Sequence, residues 1–145
     1  MEWLWWMYHV TILTVLLVTL ATLAGNLFVI PALREEQPPD LQPLVSVLVP
    51  ARNEESRIRP CLQSLLQQNY SNLEIIILDD RSEDATAELV RAWQGPNLRL
   101  IPGEPLPPGW IGKSWACHQL ASQAKGDLLL FTDADTVHKP GSLAR

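Results

Sequence analysis

Cysteine is scarce in this chain: Cys61 and Cys117 are the two thiols in 145 residues. Two are too few for a disulfide scaffold, and neither stands in a CxxC or Cys/His metal spacing. Basic residues are also in short supply, 11 Lys and Arg against 16 Asp and Glu, for a formal net charge of −5. A nucleic-acid binder normally presents a basic face, so the balance argues against that partner. Internal repeats and low-complexity tracts are missing. The largest absence is local: from Trp3 to Leu33, 31 consecutive residues carry no formal charge, with His9 taken as neutral. The composition as a whole, 47% hydrophobic and 19% charged, excludes wholesale disorder.

A helix of that length would extend roughly 46 Å, more than the roughly 30 Å hydrocarbon core of a bilayer. The expected span is therefore Val10–Ile30, within an anchor segment covering residues 1–34. Trp3, Trp5, Trp6 and Tyr8 stand where an interfacial aromatic belt would lie. Pro31 ends the apolar run and Arg34 follows it. A cleaved signal peptide is the alternative. Against it, Glu2 is the only charge ahead of the run, the run is too long, and Thr22-Leu23-Ala24 makes a poor cleavage site. Arg34, Arg52, Arg57 and Arg59 follow the segment while no Lys or Arg precedes it, so the positive-inside bias places the remainder in the cytoplasm.

Residues 35–44, with three prolines in Glu35–Pro43, read as a short, stiff tether. The 101 residues from Val45 to Arg145 are left for a folded domain. There, strand-like and helix-like stretches alternate. Val45–Val49, Glu74–Leu78, Leu98–Ile101 and Asp127–Thr132 read as strands. Arg57–Gln68, Asp84–Trp93 and Lys113–Ala124 read as helices, with Pro60 acceptable in a first turn and Gly95-Pro96 as a stop. This alternation predicts an α/β fold, Rossmann-like, with a mainly parallel sheet. Ligands bind such sheets beyond the carboxyl ends of the strands. Those ends carry the notable polar groups here: Pro50–Glu55, Asp79-Asp80 and Asp133-Ala134-Asp135.

Asp133 and Asp135 would repel each other and be costly to bury without a counter-ion. A divalent cation removes that cost, and hard oxygen ligands suit Mg²⁺ or Mn²⁺ held jointly with substrate phosphates. A solvated loop with helix-capping duty is the plain alternative. Asp79 and Asp80 are placed to accept hydrogen bonds from a base or ribose, or else to hold an Asx-turn. Pro50–Glu55 joins a strand to a helix, where backbone N–H groups and Arg52 would face an anion; an ordinary turn is the alternative. Lys113, after Gly109–Gly112, is placed to reach a diphosphate, although a surface role is commoner for a lysine. Trp110 and Trp115 are candidates for core packing or ligand stacking, with core preferred for Trp115, and His118 reads as a core-edge histidine.

Together VSVLVPARNEE (Val45–Glu55), EIIILDDRSEDAT (Glu74–Thr86) and GDLLLFTDADT (Gly126–Thr136) resemble the inverting glycosyltransferases of family 2. LPPGWIGKSWACHQLA (Leu106–Ala121) is similar to the membrane-bound branch associated with hopanoid and carotenoid lipids. The resemblance implies the nucleotide-binding half of a GT-A fold. It implies that Pro50, Arg52 and Glu54 wrap the nucleoside, that Asp80 contacts the base with Asp79 beside it, and that Lys113 lies near the diphosphate. Asp133 and Asp135 match the family's Asp-x-Asp motif, Asp135 foremost for metal and Asp133 for ribose or sugar as well as metal. The family often has Asn where this chain has His118, which is assigned no role.

The implied reaction moves a sugar, with inversion, from a nucleotide-sugar donor (UDP-linked by expectation) to an acceptor hydroxyl. The anchor and the Leu106–Ala121 resemblance suggest a lipid acceptor. The family's general base lies well downstream of the Asp-x-Asp, and this sequence stops ten residues after Asp135. The base is therefore expected beyond Arg145, in a longer enzyme. An inactive, membrane-tethered nucleotide-binding remnant is the alternative. A third possibility, a haloacid-dehalogenase-type phosphatase with Asp133 as nucleophile, fits poorly, because that motif normally opens its domain.

Overall fold

The computed structural model describes residues 2–29, 42–93 and 95–144. The chain divides into two compact units, Met1–Arg34 and Glu35–Arg145. The first contains one helix, α1 (Glu2–Val29). Its stretch Glu2–Asn26 is long and apolar enough to cross a membrane, and none of its apolar window is buried against protein. Thr11, Thr14, Thr19 and Thr22 donate their hydroxyls to the carbonyls of Met7, Val10, Val15 and Val18, one turn back. The four threonine hydroxyls are thus satisfied within the helix, as an apolar surrounding would require. Ile30, Pro31, Arg34 and most of the expected tether lie outside the described residues.

The second unit alternates strand and helix: β1 (Val45–Ala51), α2 (Ile58–Leu66), β2 (Leu73–Asp79), α3 (Thr86–Arg91), β3 (Leu98–Pro102), α4 (Gly112–Gln123) and β4 (Leu128–Phe131), then a short 3-10 turn at Ser142–Ala144. The strands form one sheet in the order β3-β2-β1-β4, and every pairing is parallel. The expected α/β architecture is therefore present. Pro60 is the third residue of α2, where a missing N–H costs nothing.

Strand alternation sorts the core into two layers. Val45, Val47, Val49 and Ala51 of β1 join Leu73, Ile75 and Ile77 of β2 on one face, packed on Ile58, Cys61, Leu62 and Leu65 of α2 and on Val90 of α3. Leu48, Ile76 and Leu78 point the other way, onto Ala116 and Leu120 of α4. β1 and β2 are the interior strands and are almost wholly buried. β4 pairs only with β1 among the described residues, and Leu128, Leu129 and Phe131 are about half exposed.

At the amino end of the sheet, Glu74 gathers three structural partners. Its carboxylate accepts from the Ser46 hydroxyl and from the Lys125 N–H, and it pairs with Arg99 at 3.4 Å. The Ser46 Oγ in turn accepts from the Gly126 N–H at 2.8 Å. A Cβ on Gly126 would stand 2.5 Å from that Oγ and 2.6 Å from the Ser46 nitrogen, so only glycine fits this approach to β4.

Candidate functional site

Two loops leave the carboxyl ends of β1 and β2 and lock together. The Asp80 N–H donates to the Ala51 carbonyl at 2.8 Å, carrying the ladder one step past the strands. Beyond it, the Asn53 N–H donates to the Ser82 Oγ at 3.0 Å, and the Glu83 N–H donates back to the Asn53 Oδ1 at 2.8 Å. The Glu54 N–H reaches the Thr86 Oγ1 at 2.8 Å, and the Glu55 N–H reaches the Asp84 Oδ2 at 3.1 Å. Asn53 and Arg81 adopt left-handed φ values of 55° and 59°. Asparagine tolerates that conformation; for arginine it is uncommon and must be stabilised by its surroundings. The interlocking bonds of residues 53–55 and 82–86 supply that support.

The third contribution comes from α4 and β4. Gly112 and Lys113 open α4, and the Lys113 Nζ donates to the Asp133 Oδ1 at 2.7 Å. Asp133–Asp135 turns directly after β4, closed by the Thr136 N–H on the Asp133 carbonyl at 3.2 Å, with Ala134 buried beneath. These three segments enclose a cleft of about 390 Å³, lined among others by Pro50, Arg52, Glu54, Asp80, Lys113, Asp133 and Asp135. A neighbouring cavity of about 380 Å³ shares Pro50, Lys113 and Asp133 with it and extends to Cys117 and Thr136.

Three ion pairs cross or border the cleft. Arg52 lies 3.9 Å from Asp80, Arg57 lies 3.5 Å from Asp135, and Lys113 holds Asp133. Hydrogen bonding to Asp133 and its charge push the Lys113 ammonium above its ordinary value, so it stays protonated. Burial pushes the Cys61 thiol up to about 11, with the charges of Asp135 and Glu54 adding to it, so this cysteine is no nucleophile. Burial also raises Cys117, although Lys113 draws it partly back.

Four carboxylates and two cations line the cleft. That surplus would repel a phosphate-bearing ligand unless a cation accompanied it. The described residues contain no cluster of three or more His, Cys, Asp or Glu able to hold a metal alone. Asp133 and Asp135 supply two carboxylates, the usual protein share for Mg²⁺ or Mn²⁺ when phosphate oxygens complete the shell. The donor set therefore fits a divalent ion whose shell is completed by water, or by a diphosphate when one is bound.

Of the eight residues singled out from sequence, seven line this cleft. Asp79 is the exception: it ends β2 half-buried, and its Oδ1 accepts from the Ser82 N–H at 3.2 Å, holding the turn. Trp115 does not enter either core cluster, contrary to expectation. It is half-buried; its Nε1 donates to the Glu104 carbonyl, and its ring meets those of Trp110 and His118 at about 5 Å. His118 is exposed rather than at the core edge, completing that aromatic cluster on the outer side of α4. Sequence reasoning missed Asn53, Ser82, Asp84 and Thr86, which build the loops, and Arg57, which pairs with Asp135. The first four carry short polar side chains after strand ends, the one signal that marked them; nothing in the sequence marked Arg57.

A parallel sheet with an ion-paired cleft at its carboxyl ends places this unit among the open α/β folds, whose ligands bind beyond the strand ends. Residues 46–145 match the family described as Glycosyl transferase family 2, and the chain belongs to that family. The phosphatase alternative for Asp133 falls with it. The chain is 44% identical over 91 residues to the 4,4'-diaponeurosporenoate glycosyltransferase of Staphylococcus haemolyticus, covering 63% of this chain and 24% of that protein. It thus spans about a quarter of the length of the curated relatives it matches. Among solved structures, it resembles mannosyltransferase PcManGT from Pyrobaculum calidifontis in complex with GDP-Man and Mn²⁺. That match has a TM-score of 0.64 and 27% identity, over 82% of this chain and 35% of that one. It also resembles S. aureus TarS 1–349 in complex with UDP, with a TM-score of 0.60 and 30% identity, over 68% of this chain and 29% of that one. The fold is a GT-A-like α/β fragment.

Proposed function

We propose that the second unit is the donor-binding half of an inverting glycosyltransferase that uses a nucleotide sugar, UDP-linked, and a lipid acceptor hydroxyl. One observation carries the proposal: the carboxyl ends of β1, β2 and β4 and the start of α4 converge on a single cleft that joins an acidic pair to a lysine. In this reading Pro50, Arg52 and Glu54 line the nucleoside end, and Asp80 accepts hydrogen bonds from the base, with Asp79 holding the turn behind it. Lys113 neutralises charge on the leaving diphosphate, an electrostatic role that strengthens as charge develops. Asp133 and Asp135 would hold a Mg²⁺ or Mn²⁺ ion, Asp133 also facing the ribose or sugar. The ion supplies Lewis-acid stabilisation of the same leaving group.

The solved relatives bound to GDP-Man with Mn²⁺ or to UDP support the donor class. The carotenoid-named relative supports an apolar acceptor. α1 serves, in this proposal, as a membrane anchor that leaves the domain in the cytoplasm; its internally bonded threonines and unburied apolar window support that role. Calorimetry with UDP and Mn²⁺ tests the site. Asp80→Ala and Asp135→Ala are each expected to weaken UDP·Mn²⁺ binding tenfold or more. Undiminished binding in both variants would overturn the assignment.

A further inference from the structure

The two carboxylates of the Asp133–Asp135 turn are held very differently. Asp133 is engaged by Lys113 in a direct hydrogen-bonded ion pair at 2.7 Å. Among the described residues, the Asp135 carboxylate accepts no hydrogen bond, and its ionic partner is the Arg57 guanidinium at 3.5 Å. Arg57 is not a stray surface cation. It immediately precedes α2, its N–H donates to the Glu54 carbonyl at 2.9 Å, and the Glu54 N–H is itself fixed by Thr86. The interlocked loops that line the cleft therefore also set where Arg57 stands.

We infer that Arg57 is a positioning counter-cation for Asp135 that competes with a divalent metal ion for that carboxylate and so sets the metal affinity of the site. The inference rests on Asp135 as a metal ligand. Its physics is simple: a loose ion pair at an exposed site is worth little and exchanges readily, whereas an ion of charge two draws the same carboxylate more strongly. Asp135 is then the point of metal entry, and Lys113 keeps Asp133 oriented until a diphosphate draws the ammonium away. An anionic ligand offers the guanidinium another partner, so nucleotide and metal favour each other's binding reciprocally.

The test titrates the full chain in detergent with Mn²⁺ alone, read by electron paramagnetic resonance of the free ion. Arg57→Gln is expected to tighten Mn²⁺ binding about three- to tenfold. Arg57→Lys, which keeps the charge, is expected to stay within about twofold of wild type, and so is Arg59→Gln, which removes a neighbouring cation that, among the described residues, pairs with no site carboxylate. Unchanged or weaker binding in Arg57→Gln overturns the inference. Equal tightening by Arg59→Gln overturns it too, since the effect would then be bulk charge. Asp135→Asn separates the two levels: if it retains Mn²⁺ binding, the metal-ligand assignment fails and the inference with it. If Asp135→Asn abolishes binding while Arg57→Gln changes nothing, only the role of Arg57 fails.

Discussion

Charge gathers at both ends of the sheet, under opposite conditions. At the amino end Glu74 is 14% exposed and is met by a hydroxyl, a backbone N–H and a guanidinium, each fixed by a strand or by the turn before β4. At the carboxyl end, three exposed or half-exposed cations lie 2.7 to 3.9 Å from Asp133, Asp135 and Asp80. Two of the three partners of Glu74 are fixed dipoles that cannot leave it, whereas the carboxylates at the other end are paired with long cationic side chains, which can. The first arrangement holds strands in register, while the second can exchange its partners for a ligand. Burial works against ionisation of Glu74, yet the bonds from Ser46, Lys125 and Arg99 outweigh it and hold the carboxyl below its ordinary range.

Substitutions at the two ends should therefore separate stability from binding. The largest expected effects are at the amino end. Gly126→Ala drives a methyl into the Ser46 backbone and should cost about 2–3 kcal/mol or more. Glu74→Ala leaves the buried Ser46 hydroxyl without its acceptor and should cost about 1–3 kcal/mol. Urea unfolding followed by tryptophan fluorescence checks both, and a loss below about 0.5 kcal/mol in either would break the contrast. Next in size, Asp135→Ala should abolish UDP·Mn²⁺ binding in calorimetry while changing stability by less than about 1 kcal/mol. A large destabilisation there would mean that the carboxyl end is structural too.

The smallest effect is a pH dependence. A carboxyl depressed in the folded state adds stability above its unfolded value, roughly 4.3, and loses it as pH falls through the folded value. The stability advantage of wild type over Glu74→Gln should thus be full near neutrality and shrink below about pH 4. A gap that stays constant to pH 3 would show that hydrogen-bond geometry, not charge, secures the amino end.

The sequence carried the element order and strand faces because buried β-branched runs and alternation are local signals. Boundaries moved where polar side chains had other work. Helix α3 starts at Thr86 rather than Asp84, since the Asp84 carboxylate accepts from the Glu55 and Thr86 N–H groups in the loop. Helix α2 ends at Leu66 because Gln68 turns back onto the Leu65 carbonyl. β1 runs on to Ala51, past Pro50, because the register pairs Ala51 with Asp79. The carboxylates of the cleft were legible from their place after strands. The Asn53–Ser82–Thr86 lock and the Arg57–Asp135 pair were not, since contacts between loops some 30 to 80 residues apart leave no periodicity. Core packing is the preferred reading of Trp115 in the sequence, but its indole N–H finds the Glu104 carbonyl at the rim.

A crystal of the chain soaked with UDP and Mn²⁺, with manganese located by its anomalous signal, decides the donor-site assignment. That assignment requires one manganese on the Asp133–Asp135 turn, the diphosphate beside Lys113 and the uracil against Asp80. Manganese away from that turn, or uridine outside the cleft between β1, β2 and β4, would contradict it.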